Sequence, residues 1–416
     1  MKKLFLLLLL SPAVLAQEYA PPVAASGTGL QINGYGDIGF AAAQGDGTSF
    51  AVGDTRIPAD YVTDPFATAV NSRGDVASTS TTRFVNGFLP RSMNIGGQPS
   101  FMLNTFDVDI KYVPATAPIL LFSRFQLLPR FDSTNGNNTR VIVEQAFARI
   151  APLASQEFAI SVGKFDSVFG IEYQQNESNL RTNITPSLIA RYTTGQSLGL
   201  KAFFRKQIPA AWSALSLNVS ATNGGTLVES LSPPDLSIAG RPIIAARLGY
   251  ELNLPKVEFK LGTSGEYGPR NDQHGVRVHQ WVIGADVRLL FYGIALEGEG
   301  ISILQDEGAA DKSNGLPLAE TLVSGFRARG AYGMLSYGLP LTDGAFRRFT
   351  PYVRYEQRHA QFEGLTAYTV ERLTFGFRLD LWDELIVKAE GLLNGEVTGL
   401  PPVANNVFTS SFVYSF

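Results

Sequence analysis

Apolar and polar residues alternate with a period of two along almost the whole chain. Leu30, Ile32, Ile38 and Phe40 alternate with Gln31, Asn33 and Asp37. Val257, Phe259 and Leu261 alternate with Glu258 and Lys260, and Leu373, Phe375, Phe377, Leu379 and Leu381 with Thr374, Arg378 and Asp380. This period is that of a β-strand with two unlike faces, one apolar and one wet. The pattern predicts strands near 30–41, 101–112, 119–128, 140–150, 157–165, 197–206, 213–222 and 242–252. It continues near 256–265, 279–290, 293–303, 321–338, 349–359, 368–380, 385–393 and 406–416. Many of these have the length of roughly 9–11 residues that a tilted membrane strand needs.

The gaps between these strands alternate in length. Those at 114–118, 152–156, 207–212, 253–255 and 290–292 are short, and those at 42–100, 166–196, 223–241 and 305–320 are long. Short turns on one side and long loops on the other are the habit of outer-membrane barrels. A missed or invented strand would invert the alternation from that point on. The expected fold is all-β: a transmembrane antiparallel up-and-down β-barrel of about 16 strands with a pore-constricting third outer loop. The stretch 187–192 also alternates, but counting it makes the total odd, so it is assigned to that third loop.

The ends and the composition agree with this fold. Residues 1–16 carry a basic start, a short apolar run and a small-residue exit, the marks of a cleaved signal peptide. A short lead at 17–29 and a barrel over 30–416 follow. At the other end Phe412, Tyr414 and Phe416 fall on one face of an alternating strand, suited to a membrane boundary. Hydrophobic residues make up 45% of the 416 positions, yet no run after Leu10 approaches the roughly 18 that a membrane helix needs. There is no cysteine, hence no disulfide framework or thiolate metal site. A net charge of −3 gives no reason to expect nucleic acid as a partner. The expected partner is outer-membrane lipid, in a Gram-negative-type bacterium.

One region resembles a known family. The run FAISVGKFDSVFGIE at 158–172 is similar to the G-x-F-x-x-x-x-G-x-E segment of OmpL-like β-barrel porins (the porin-2 group), and more distantly to phosphate-selective porins. EQAFAR at 144–149 and SLGLK at 197–201 resemble the strands on either side of it. The resemblance implies a passive homotrimeric diffusion channel in which this strand leads into the constriction loop. It does not imply phosphate, because no ladder of closely spaced arginines is evident.

Candidate site residues follow from register and topology. In the 166–196 loop, Phe169, Ile171, Tyr173, Leu188, Ile189 and Tyr192 are expected to pack on the inner wall, and Glu172, Glu177, Arg181 and Arg191 to face the pore. Lys164, Lys201, Arg205, Arg247, Arg288, Arg327, Arg329, Glu144, Asp286 and Glu297 are expected to line it, with Lys111, Asp107, Asp109, Glu251, Glu258, Lys260, Glu299, Arg354, Arg372, Lys388 and Glu390 also inward. Rings of charge set ion preference in pores, but any wet lumen carries paired charges. Asp46, Asp54, Asp60 and Asp64 in the 42–100 loop lack the spacing of a calcium loop. No cofactor and no metal are expected. His274, His279 and His359 come with no glycine-bracketed serine, so no enzyme is expected. The function expected is passage of small hydrophilic solutes or ions. The alternatives are a substrate-specific channel and a structural or adhesive barrel without conductance.

Overall fold

The computed structural model describes residues 29–43, 100–115, 117–128, 140–153, 157–175, 177–193, 196–208, 211–223, 242–271, 277–306, 325–341, 344–362, 367–398 and 406–416. The signal-peptide expectation at 1–16, most of the lead at 17–29, His274 and nearly all of the 42–100 loop, its four aspartates included, lie outside them.

The strands are β1 (Gly29–Ala43), β2 (Ser100–Val113), β3 (Ile119–Leu128), β4 (Arg140–Ile150), β5 (Phe158–Asp166), β6 (Gln196–Ile208), β7 (Ser213–Thr222) and β8 (Ile243–Leu254). Then come β9 (Val257–Asn271), β10 (Arg277–Phe291), β11 (Ile294–Gln305), β12 (Phe326–Tyr337, continued after Gly338 by Leu339–Pro340), β13 (Phe346–Phe362), β14 (Tyr368–Leu381), β15 (Leu385–Thr398) and β16 (Val407–Ser415). Each pairs antiparallel with its chain neighbours, and β1 pairs with β16 from Tyr35↔Ser415 to Ala43↔Val407. The sheet is therefore a closed barrel of sixteen strands. Closure leaves no edge, so every strand's backbone groups find partners without water.

All sixteen predicted strands form. The overlong 321–338 segment begins later, at Phe326, and is interrupted at Gly338. Strands β9, β10 and β13 run well past their predicted ends toward the long connections. The stretch 187–192 is not a strand: its end forms the single helical turn α1 (Ala190–Thr193), inside the third loop. Ser187, Leu188, Ile189, Ala190 and Tyr192 are all buried, so the spacing there serves packing and not the two faces of a strand.

The two faces of the barrel are chemically opposite. On β16, Phe412 and Tyr414 are 45% and 52% exposed, whereas Val413 between them is 0% exposed. Leu198, Leu200 and Phe204 of β6 and Leu215, Leu217 and Val219 of β7 likewise face outward. The inner face carries Asp107, Glu144, Arg247, Asp286, Glu297, Arg354, Arg372, Lys388 and Glu390, all buried. Extra residues shift the register between Asp37 and Ile38 and between Arg124 and Phe125, the latter putting Glu144 and Gln145 side by side on the inner wall. At the short-turn end Trp212, Tyr292 and Trp382 adopt left-handed backbone (φ 51°, 51° and 49°) and point their rings outward. That conformation costs a bulky residue of order 1–3 kcal/mol.

Candidate functional site: the loop inside the barrel

The connection between β5 and β6 lies against the inner wall rather than over the rim. Part of the wall is built to receive it. Phe169, Leu188, Ile189 and Tyr192 of the loop pack with Val282 of β10, Ile301 and Ile303 of β11, Phe326, Ala328 and Tyr332 of β12, Ala360 of β13 and Val370 of β14. Ile171 is buried and Tyr173 half-buried, so the loop's apolar residues go where the sequence puts them.

A loop with almost no secondary structure must find partners for its own N–H and C=O groups. Here wall side chains supply them. Glu299 accepts the N–H groups of Ile171 (3.0 Å) and Glu172 (3.1 Å). Glu390 accepts those of Ile184 (2.7 Å) and Thr185 (3.0 Å), and Glu356 that of Leu188 (2.5 Å). Gly170, at φ +71°, is required where it stands, because a Cβ there would run into the Glu299 carboxylate. On the donor side, Arg354 binds the carbonyls of Thr185 (2.8 Å) and Pro186 (3.3 Å), and Arg372 also donates to Pro186. Arg378 holds the carbonyls of Asn179, Leu180 and Arg181, and Lys388 those of Ser178 and Asn183. Arg354 and Arg372 both also pair with Glu356, at 3.0 and 2.8 Å. Much of the charge on β13–β15 is therefore spent on holding the loop.

The expected loop charges are drawn into this fixation. Glu172 accepts the Ser187 N–H at 2.7 Å and its hydroxyl as well. Burial pushes its carboxyl above the ordinary range, against the pull of Arg354 and the Ser187 hydrogen bonds. Glu177 accepts the Tyr35 hydroxyl at 2.7 Å and pairs with Arg124, while Ser178 donates to Asp37. Arg181 is 3% exposed, and Glu177 5%. Neither is presented to open water, which corrects the expectation that they face the pore. Arg191 is the second residue of the α1 turn, and its side chain is not among those described. Asp107, Glu144 and Glu177 bring carboxylate oxygens within 4.8 Å of one another, a set that could hold a cation; the Arg124 guanidinium supplies countercharge to it.

Lys201, Arg205, Arg247, Arg288, Glu144, Asp286 and Glu297 do lie on the inner face. Arg205 pairs with Glu251 (2.8 Å), Arg247 with Asp286 (2.7 Å), Arg288 with Glu297 (3.6 Å) and Lys260 with Glu258 (3.0 Å). Three of these lining residues differ from expectation. Lys164 shares the outward face of β5 with Ile160 and Val162, and its long stem carries the ammonium to the Val143 carbonyl at 2.7 Å. Arg327 and Arg329 face outward on β12, because Phe326, Ala328 and Tyr332 take the inner positions under the loop. The rule that charge points inward fails where the inner wall is dry. The sequence reading also missed Tyr35, Asp37 and Arg378 as loop anchors. No local motif marks them, since each meets its partner only through barrel closure. His279 stacks on Tyr267 (5.8 Å) with the Asp306 carboxylate 3.5 Å away, and His359 meets the Thr369 hydroxyl (2.9 Å).

No protein-family model matches the sequence, and no curated protein matches it. Solved structures do match in fold. The outer membrane channel DcaP of Acinetobacter baumannii superposes with a TM-score of 0.56 at 9% identity, over 93% of this chain and 97% of that one. OmpT of Vibrio cholerae, an outer-membrane protein, superposes with a TM-score of 0.51 at 9% identity, over 94% and 99%. At such identity the likeness is one of fold alone, that of a closed up-and-down β-barrel.

Proposed function

We propose that this protein is an outer-membrane porin, a passive channel for small hydrophilic solutes or ions, narrowed by its third loop. The observation that carries the reading is the loop's fixation. A closed barrel with an apolar exterior and a charged interior has one segment pinned along its inner wall by Glu299, Glu356, Glu390, Arg354, Arg378 and Lys388. Pinning a loop at these many points fixes the bore of a pore, and has no use in a barrel whose lumen is idle. The homotrimer, the exported precursor and membership of the OmpL-like group belong to the same reading, supported by the 158–172 segment and the basic, apolar start of the chain. Reconstitution into planar lipid bilayers tests it. Ohmic single-channel steps are expected, and a purified, folded protein that never conducts would sink the proposal.

A further inference from the structure

The inner wall of β4–β6, just below the point where the third loop departs, has a composition unlike the rest of the lumen. Phenylalanines are out of place on a wet wall, yet Phe122, Phe147, Phe165 and Phe203 all point inward. The register places them around a floor with almost no side chains. On one rung Arg149 lies opposite Ser161, which lies opposite Lys201. On the next, Phe147 lies opposite Gly163 and Gly163 opposite Gly199. Gly163 has φ +132°, and a Cβ there would collide with the Ala146 carbonyl, so this floor cannot be raised. With strands about 4.8 Å apart, the backbones of Phe147 and Gly199 stand roughly 10 Å from each other across Gly163, room for one small ring.

The walls are aromatic and cationic together. Phe147 packs on Phe122 with ring centres 5.3 Å apart. The Arg149 guanidinium lies 5.5 Å from the Phe203 ring, and the Lys201 ammonium 4.8 Å from that of Phe165. Lys201 forms no ion pair among the described residues. The ammonium can therefore take a carboxylate without breaking an ion pair.

Resting on the channel reading above, we infer that this niche binds aromatic carboxylates in transit, the ring against Phe147 over the Gly163–Gly199 floor and the carboxylate on Lys201. A bare anion gains only the charge, and a neutral arene only the faces. An aromatic acid gains both, because a ring edge and a ring face attract one another beyond the area they bury.

The test compares benzoate, acetate and cyclohexanecarboxylate as blockers of potassium chloride current through the full-length protein in planar bilayers. Benzoate is expected to halve the current at an about fivefold lower concentration than acetate. In Phe147→Ala that ratio falls toward one, and in Lys201→Gln benzoate block weakens. The ratio is read within each variant, so a change in conductance itself cancels. Conduction with equal block by benzoate and acetate in the unaltered protein overturns the niche and leaves the channel standing. Equal block by benzoate and cyclohexanecarboxylate overturns the aromatic part. If the protein does not conduct, the channel reading fails, and equilibrium dialysis of benzoate against the detergent-solubilised protein decides the niche, with saturable binding lost in Lys201→Gln supporting it and no binding overturning it.

Discussion

Glu356 holds two guanidinium groups and a loop N–H in a place without water. Removing its charge leaves Arg354 and Arg372 buried together with nothing between them. Breaking a buried pair from one side costs about 3–5 kcal/mol. Glu356→Gln is therefore expected to lower the unfolding free energy of the protein in vesicles by that much, read from urea unfolding followed by intrinsic fluorescence; a value within error of the unaltered protein would mean the pairing is idle. Glu390 is a different case, since it accepts two loop N–H groups and the Tyr352 hydroxyl. In Glu390→Gln one amide oxygen still accepts, so the barrel is expected to survive while the loop loosens. Trypsin cleavage after Arg181 in the folded protein is the readout, expected in the variant and absent from the parent.

At the scale of elements, each strand is two half-sequences meant for two solvents. A one-residue slip would turn Leu198, Leu200 and Phe204 into the lumen and Lys201 and Arg205 into lipid, so the pleat itself fixes register. Leu248→Arg, at an outward position of β8, is expected to cost about 2–4 kcal/mol near the bilayer midplane, falling toward the interfaces. The same change at Ser197, half-buried and inward on β6, is expected to cost less, because its charge stays on the polar side of the wall. Equilibrium unfolding from vesicles compares the two, and equal costs would place both residues in the same medium.

For the whole molecule, the lumen is a balance of opposed charges, much of it cancelled in pairs or committed to the loop. Lys111 and Lys201 are inward cations with no ion pair among the described residues. Reversing both, Lys111→Glu with Lys201→Glu, is expected to move the reversal potential in a potassium chloride gradient toward cation preference. An unchanged potential would show that the permeant path runs elsewhere. Reversing Arg181 tests packing instead, because that residue is buried between loop and wall.

Period-two alternation and the short–long rhythm of the gaps determined the barrel, its parity and the chain position of the inner loop. These depend only on which solvent each face meets, and solvent preference is a property of single residues. The aromatic face of β16 and the inward turn of Lys201, Arg205, Arg247 and Asp286 were legible for the same reason. Tertiary structure alone decided what happens where the loop meets the wall. There the interior is dry, so Phe326 and Ala328 turn inward while Arg327 and Arg329 turn out, Glu172 and Glu177 become fastenings, and Arg181 is buried. Such contacts join residues more than a hundred positions apart, as Ile184 to Glu390 and Tyr35 to Glu177, and no local pattern can carry them before the cylinder closes.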